Sequence, residues 1–168
     1  MTLHIRLAAP TDYAVIERIE NAADQLLIDW LTPDSWEPAP SGASRAAVPG
    51  YILVAQEAEA SAVIGFVHVL ERDLVAHLEQ LSVLPGHGRR GHGRALVEAA
   101  KSEARRRGYQ CLSLRTYSDV PWNGPFYARA GFIETEPSTA FHQHLANIER
   151  QLGLDRHGRR IQMTAGLQ

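Results

Sequence analysis

Apolar and polar positions recur with clear periods along most of this chain. Residues 3–8 (LHIRLA) alternate with period two and predict a short opening strand. The stretch 9–27 (APTDYAVIERIENAADQLL) sets Tyr13, Ile16, Ile19, Ala23 and Leu26/Leu27 on one helical face, with Thr11 as candidate N-cap. From 28 to 50, Pro, Ser, Gly and Ala take over around Trp30 and Trp36, which predicts a loop or broken helix beside the core. Three runs rich in β-branched and aromatic residues follow, at 51–56 (YILVAQ), 62–71 (AVIGFVHVLE) and 74–83 (LVAHLEQLSV). Their connections are too short for anything but hairpins, so they predict an antiparallel meander.

The period then changes to that of a helix from about Arg94 to Arg107, with Leu96, Ala99, Ala100 and Ala104 as its inner stripe. Gly108 stands where a left-handed C-terminal residue belongs. Residues 109–117 (YQCLSLRTY) predict a strand that, with a full helix before it, pairs parallel to its predecessor through a right-handed crossover. A short helix in NGPFYARAG ends at Gly131, FIET starts another strand, a helix covers about 140–152, and RIQMTAGL (160–167) closes the sheet. The class is α+β: a mixed, mostly antiparallel sheet flanked by helices on both faces, with one parallel β-α-β crossover. No repeat or linker divides residues 1–168, which predict a single domain.

Composition narrows the function classes. The chain is 45% hydrophobic and 21% charged, a globular balance. A formal charge of −2 argues against nucleic-acid binding by bulk charge. No apolar stretch is long enough for a signal peptide or a membrane span. The single cysteine, Cys111, rules out an internal disulfide and suits a reducing cytoplasm. Its apolar surroundings read as those of a buried structural thiol. These features predict a soluble, cytoplasmic protein without nucleic-acid or membrane partners.

The densest candidate chemistry lies at 83–100 (VLPGHGRRGHGRALVEAA), where glycines, arginines and histidines join a strand end to a helix start. The first backbone N–H groups of a helix lack intrahelical partners and face a positive dipole end. Glycines allow positive φ and close approach, and Arg89, Arg90 and Arg94 add forks that match phosphate geometry. Together they make an anion site suited to a pyrophosphate. A Walker loop fails because His92 and Gly93 follow Gly91 where Lys and Ser/Thr are required. GHGRRG (86–91) fits the dinucleotide fingerprint, but Arg115 and Thr116 occupy the strand end where an NAD site wants an acid. The chain is also too short for two wound halves. His87 and His92 are irregularly spaced, with no carboxylate or thiol nearby in sequence to complete a metal-ligand set, so no metal is expected.

Placed between a meander and a helix, LSVLPGHGRRGHGRAL (81–96), followed by PWNGPFYARAGF (121–132), resembles the GNAT superfamily of acyl-CoA-dependent N-acyltransferases. The first segment is similar to the family's Gln/Arg-x-x-Gly-x-Gly/Ala loop, and the second to its Tyr-x-x-x-Gly-Phe segment at Tyr127–Phe132. The family's Gln/Arg position falls on Gly88, and its Asn seven residues before the tyrosine falls on Val120. The resemblance implies acetyl-CoA as cosubstrate. Gly88, Arg89, Arg90, Gly91, His92, Gly93 and Arg94 would hold the pyrophosphate. Leu81, Ser82 and Val83 would pair with the pantetheine arm like an added strand, with Asn123 near it. It also implies a gap where the two parallel strands splay, and it allows a homodimer.

Acetyl transfer to an amine needs a proton acceptor, an oxyanion donor and an acid for the leaving thiolate. In VAHLEQL, Val75, His77, Glu79 and Leu81 would alternate onto one face, making Glu79 and His77 the candidate base pair. A solvated strand edge is the plain alternative. Tyr127 matches the family's general-acid tyrosine, against the alternative of a core aromatic, and the N–H of Val83 would be the oxyanion donor. Trp30, Trp36, His68, Tyr117 and Trp122 are candidate acceptor-pocket residues, and no cluster of acids stands out among them. These residues predict transfer to a primary amine of a small molecule or peptide. A non-catalytic acyl-CoA sensor and an NADP-binding enzyme stand as the alternatives.

Overall fold

The computed structural model, which describes residues 2–168, joins β1 (Leu3–Leu7), β2 (Gly50–Glu57), β3 (Val63–Arg72), β4 (Val75–Val83), β5 (Cys111–Tyr117), β6 (Ile133–Thr135) and β7 (Arg160–Gly166) into one sheet. The spatial order is β1-β2-β3-β4-β5-β7-β6. Among the described residues only β4 and β5 run parallel; the other neighbours are antiparallel. The helices are α1 (Tyr13–Leu31), α2 (Gly42–Ala46), α3 (His92–Arg106), α4 (Gly124–Arg129) and α5 (Ala140–Gln151). Leu96, Val97, Ala100 and Ala104 of α3 pack on one face of the sheet, against Val67, Val69, Leu78, Leu112 and Leu114. Ile16 and Ile19 of α1 cover the other face over Ile52, Val54 and Phe66. Among the described residues no helix is long and apolar enough to cross a membrane.

Several expected turns have the expected local cause. The tight β3–β4 link, expected at Arg72–Asp73, falls one residue later and puts Asp73 and Leu74 at φ 52° and 64°, the left-handed pair of a two-residue hairpin whose twist suits the strands. Gly108 and Gly131 close their helices at φ +95° and +92°. Other expectations need correction. Helix α1 does not stop at residue 27 but runs to Leu31, so Trp30 stands on a helix. It ends where Thr32 turns left-handed at φ 47°, donating its N–H to Ile28 O at 2.8 Å, just before Pro33. Cys111 is exposed rather than buried. Alternation from the inward Leu112 and Leu114 turns it to the opposite face, where the helical cover reaches Ser113 through His142 but not the strand's first residue.

The correction that shapes the site lies in β4. His68 pairs with Gln80 and Val69 with Leu78, so Glu79 has no counterpart on β3. This two-against-one bulge adds a residue and reverses the inside–outside parity of the strand. Ala76 and Leu78 before it, and Leu81 and Val83 after it, all face the α3 core. The expected single face of Val75, His77, Glu79 and Leu81 is therefore broken in the middle.

Candidate active site

Next to the bulge, β4 and β5 separate. Their pairing is confined to His77↔Ser113 and Leu78↔Leu114, and from there the two strands diverge. On the far edge of β4, the Leu84 N–H donates to Ile64 O at 2.8 Å. Backbone alternation then turns the N–H and C=O groups of Val83 and Leu81 to the vacated, β5-side edge. The result is a wedge-shaped slot with unpaired strand groups along one wall.

The glycine loop closes one end of this slot. His87 N–H donates to Leu84 O (2.8 Å) and Gly88 N–H to Pro85 O (3.2 Å), which makes a single tight turn. The N–H groups of Arg89 through Arg94 have no acceptor among the described residues, and intrahelical bonding begins only at Ala95, to Gly91 O. Arg89 and Gly91 achieve this run of free donors by standing at φ 60° and 82°, a conformation natural to glycine and strained for arginine. Arg89 and Arg90 are exposed and unpaired with any carboxylate among the described residues. Arg94 differs from expectation: it lies along α3 on Glu98 (3.1 Å) and donates to Arg129 O (2.9 Å), tying α3 to the end of α4. Ser82 is buried and accepts from Gln80 Nε2 at 3.0 Å. Asn123 initiates α4 through its carbonyl, which accepts the Tyr127 N–H at 2.9 Å, and its side chain makes no capping bond.

The two candidate bases sit in different environments. Glu79 projects from the bulge without a hydrogen-bonding partner among the described residues and is open to solvent. Desolvation by the walls around it raises its carboxyl above the ordinary value, with Glu149 adding and Arg45 and Arg160 opposing. His77 is 2% exposed. Its Nδ1 lies 2.8 Å from Ser113 Oγ, which is 2.9 Å from His142 Nε2, whose Nδ1 in turn meets Thr139 Oγ1 at 2.9 Å. Phe141 packs edge-on against the His77 ring at 5.4 Å. Burial, then the charges of His142 and Arg115, push His77 down to about 3, so it stays neutral inside the sheet–α5 interface.

Tyr127 is buried on α4 between the rings of Phe126 (5.0 Å) and Phe132 (5.7 Å). Its hydroxyl has no protein partner among the described residues, and burial raises it well above the ordinary tyrosine value, which keeps the proton on oxygen.

Beside Glu79, the walls carry buried charge that periodicity does not reveal. Arg45 of α2 grips Glu20 of α1 with Nη2–Oε1 at 2.7 Å and Nε–Oε2 at 3.1 Å. Its Nη1 lies 3.0 Å from His68 Nδ1. A guanidinium only donates, so Nδ1 accepts and the His68 proton is on Nε2. Burial and the Arg45 charge hold His68 down at about 4. Desolvation raises Glu20 and Asp24, and Trp36 Nε1 donates to Asp24 Oδ2 at 3.2 Å. Glu20, Asp24 and Glu79 are close enough to raise the Glu20 carboxyl by mutual repulsion, an acidic grouping that the sequence reading did not expect. The only sequence signal is that Glu20 and Asp24 stand four apart on the apolar side of α1.

Of the expected acceptor residues, Trp30 and Trp122 meet edge to face at 5.3 Å, bridging α1 and the β5–α4 loop. Trp36 and His68 serve the acidic wall instead. Tyr117 is buried, donates to Leu154 O at 3.0 Å and lies under the Arg160 guanidinium at 4.5 Å. Arg160 and Arg115 converge on Glu149 of α5, at 2.7 Å and 3.0 Å, beside a charged groove of about 380 Å³.

Comparison with known proteins places this geometry. Residues 16–132 match the model of the Acetyltransferase (GNAT) family. Among similar solved structures is the ribosomal-protein-S18-alanine N-acetyltransferase of Escherichia coli, 21% identical, with 99% of this chain and 94% of that one covered and a TM-score of 0.70. A putative streptothricin acetyltransferase from Bacillus anthracis, in complex with acetyl coenzyme A, is 17% identical over 100% of both chains with a TM-score of 0.69. PaiA N-acetyltransferase from Thermoplasma acidophilum, in complex with coenzyme A, is 16% identical over 99% of both, with a TM-score of 0.67.

Proposed function

The chain belongs to the acetyltransferase (GNAT) family and is an acetyl-CoA-dependent N-acetyltransferase; from that premise we propose that it moves the acetyl group directly to a primary amine of a small molecule or peptide. The observation that carries the reading is the slot itself, which has unpaired β4 groups on one wall, free loop N–H donors at one end and an unpaired carboxylate with a raised pKa at the bulge. The N–H groups of Arg89 to Arg94, with the side chains of Arg89 and Arg90, take the pyrophosphate. Leu81 and Val83 pair with the pantetheine arm and bring the thioester carbonyl to the Val83 N–H.

Glu79 accepts the ammonium proton, and the freed amine attacks the thioester carbon. The resulting oxyanion is held by the Val83 N–H. Collapse breaks the C–S bond as Tyr127 protonates the departing thiolate, and the second proton leaving the amide nitrogen restores the Tyr127 hydroxyl. The products are the amide and free CoA thiol, with the amine's first proton left on Glu79 for solvent to take. His77, neutral and sealed behind Ser113, orders the β5–α5 packing rather than exchanging protons with the slot. The acceptor enters past Trp30 and Trp122, with the Glu20–Arg45–His68 wall beside Glu79. Cytoplasmic residence and the absence of nucleic-acid and membrane partners belong to the same reading, and a homodimer is compatible with it.

The NADP alternative has no support here, because that fold feeds its loop from parallel strands, whereas β2, β3 and β4 are antiparallel. A thiol-release assay with acetyl-CoA across a panel of small amines, amino acid derivatives and peptide N-termini tests the proposal. Amine-dependent CoA release supports it. Acetyl-CoA binding without release on any amine leaves the sensor alternative standing.

A further inference from the structure

The loop histidines do more than flank the glycines. Glu57, at the end of β2, is 8% exposed and has no Lys or Arg within ion-pair distance among the described residues. Its partner is His87, whose Nδ1 lies 3.0 Å from Glu57 Oε1. The third member is His92, the first residue of α3, whose Nε2 is closed off from solvent and has no hydrogen-bond partner. One ligand atom from each of Glu57, His87 and His92 lies within 4.8 Å of the other two. A four-coordinate metal with bonds of about 2.1 Å sets its ligands roughly 3.4 Å apart, so small side-chain rotations close the set. Two imidazoles and a carboxylate suit a first-row divalent ion with a fourth position left for water, and they suit Mg²⁺ or Ca²⁺ poorly.

We propose that Glu57, His87 and His92 bind a zinc-class divalent ion at the base of the phosphate loop. Three features of the molecule agree. A buried carboxylate has no Lys or Arg partner, a buried imidazole nitrogen lacks any partner, and a ligand atom of each of the three residues lies within 4.8 Å of the other two. The ion would also act on the loop. His87 and His92 bracket residues 88–91, which include the free N–H donors of residues 89–91, so one ion ties both ends of that segment to β2. Occupancy then removes conformational freedom that acetyl-CoA would otherwise have to remove on binding. This consequence for affinity rests on the proposed function; the metal site does not.

Metal-stripped protein titrated with Co²⁺ tests the site through the visible d–d bands of a low-coordinate complex. One equivalent should bind, Zn²⁺ should bleach the bands, and Glu57→Gln and His92→Ala should each weaken binding more than about tenfold while keeping the wild-type far-UV circular dichroism. No bands at millimolar Co²⁺, or wild-type affinity in either variant, overturns the proposal. If a variant does not fold, diethyl pyrocarbonate labelling of the wild type decides: Zn²⁺ should protect His87 and His92, and unprotected labelling counts against the site. Acetyl-CoA titrated with and without bound Co²⁺ should differ at least about threefold in Kd, and equal values overturn the effect on the loop. Failure to bind acetyl-CoA at all would strike the proposed function while the Co²⁺ spectrum still reports on the metal.

Discussion

Acidification should destabilise this fold through two histidines that the sheet keeps neutral. In the unfolded chain His68 and His77 titrate near the ordinary value of about 6.5. Folded, burial and the Arg45 charge hold His68 at about 4, while burial, then His142 and Arg115, hold His77 at about 3. Both folded values are depressed, so the unfolded state binds more protons between them and neutrality. The stability these groups contribute is complete above about pH 6.5 and is lost as pH falls from there toward the folded values. From pH 6.5 to 5.5 each histidine removes about 1 kcal/mol, so the pair removes about 2 kcal/mol. That is a sizeable part of the ~5–15 kcal/mol that holds a domain. Desolvated Glu20, Asp24 and Glu79 act in the opposite sense, because they hold protons more readily when folded. A difference measurement cancels them. His77→Asn removes one titrating ring and keeps a donor toward Ser113, so urea unfolding should show about 1 kcal/mol less loss over that interval than in wild type. Equal losses in the two proteins would refute the assignment of His77 as a buried neutral base.

Other substitutions probe the slot. Glu79→Gln should lower kcat by about a hundredfold with the KM for acetyl-CoA nearly unchanged, because a general base contributes on that scale; full turnover would remove Glu79 from the chemistry. The raised Glu79 carboxyl should also place the acidic limb of the kcat/KM profile above the ordinary carboxylate range, and this limb should vanish in the variant. Tyr127→Phe should reduce kcat by about tenfold or more while acetyl-CoA still raises Tm, and a loss confined to Kd would return Tyr127 to a packing role. Gly91→Ala places a Cβ in open space but at φ +82°, which costs roughly 1–2 kcal/mol. It should weaken acetyl-CoA binding as the loop donors turn, and unchanged affinity would mean that the loop tolerates another backbone path.

The element order, the meander, the parallel crossover and the glycine loop are legible in the chain because their causes are local. Period two or 3.6 follows from side-chain geometry, and a hairpin too short to cross over leaves one pairing direction. Gly91, Gly108 and Gly131 are readable for the same reason, since a positive φ is a property of one residue. What the linear pattern does not contain is register and burial. The bulge at Glu79 exists only in the pairing of β4 with β3, and it sends His77 and Glu79 into different surroundings although they are two residues apart. Glu20, Asp24 and Arg45 become a wall of the site only when α1 and α2 settle beside His68. Glu57 lies 30 residues before His87 and reaches it across the sheet at 3.0 Å, so a search for ligands near the histidines in sequence could not find it. The sequence by itself determined which elements form and where an anion loop opens a helix. The tertiary structure alone decided which charges are buried together, because desolvation and pairing depend on neighbours that chain distance does not measure.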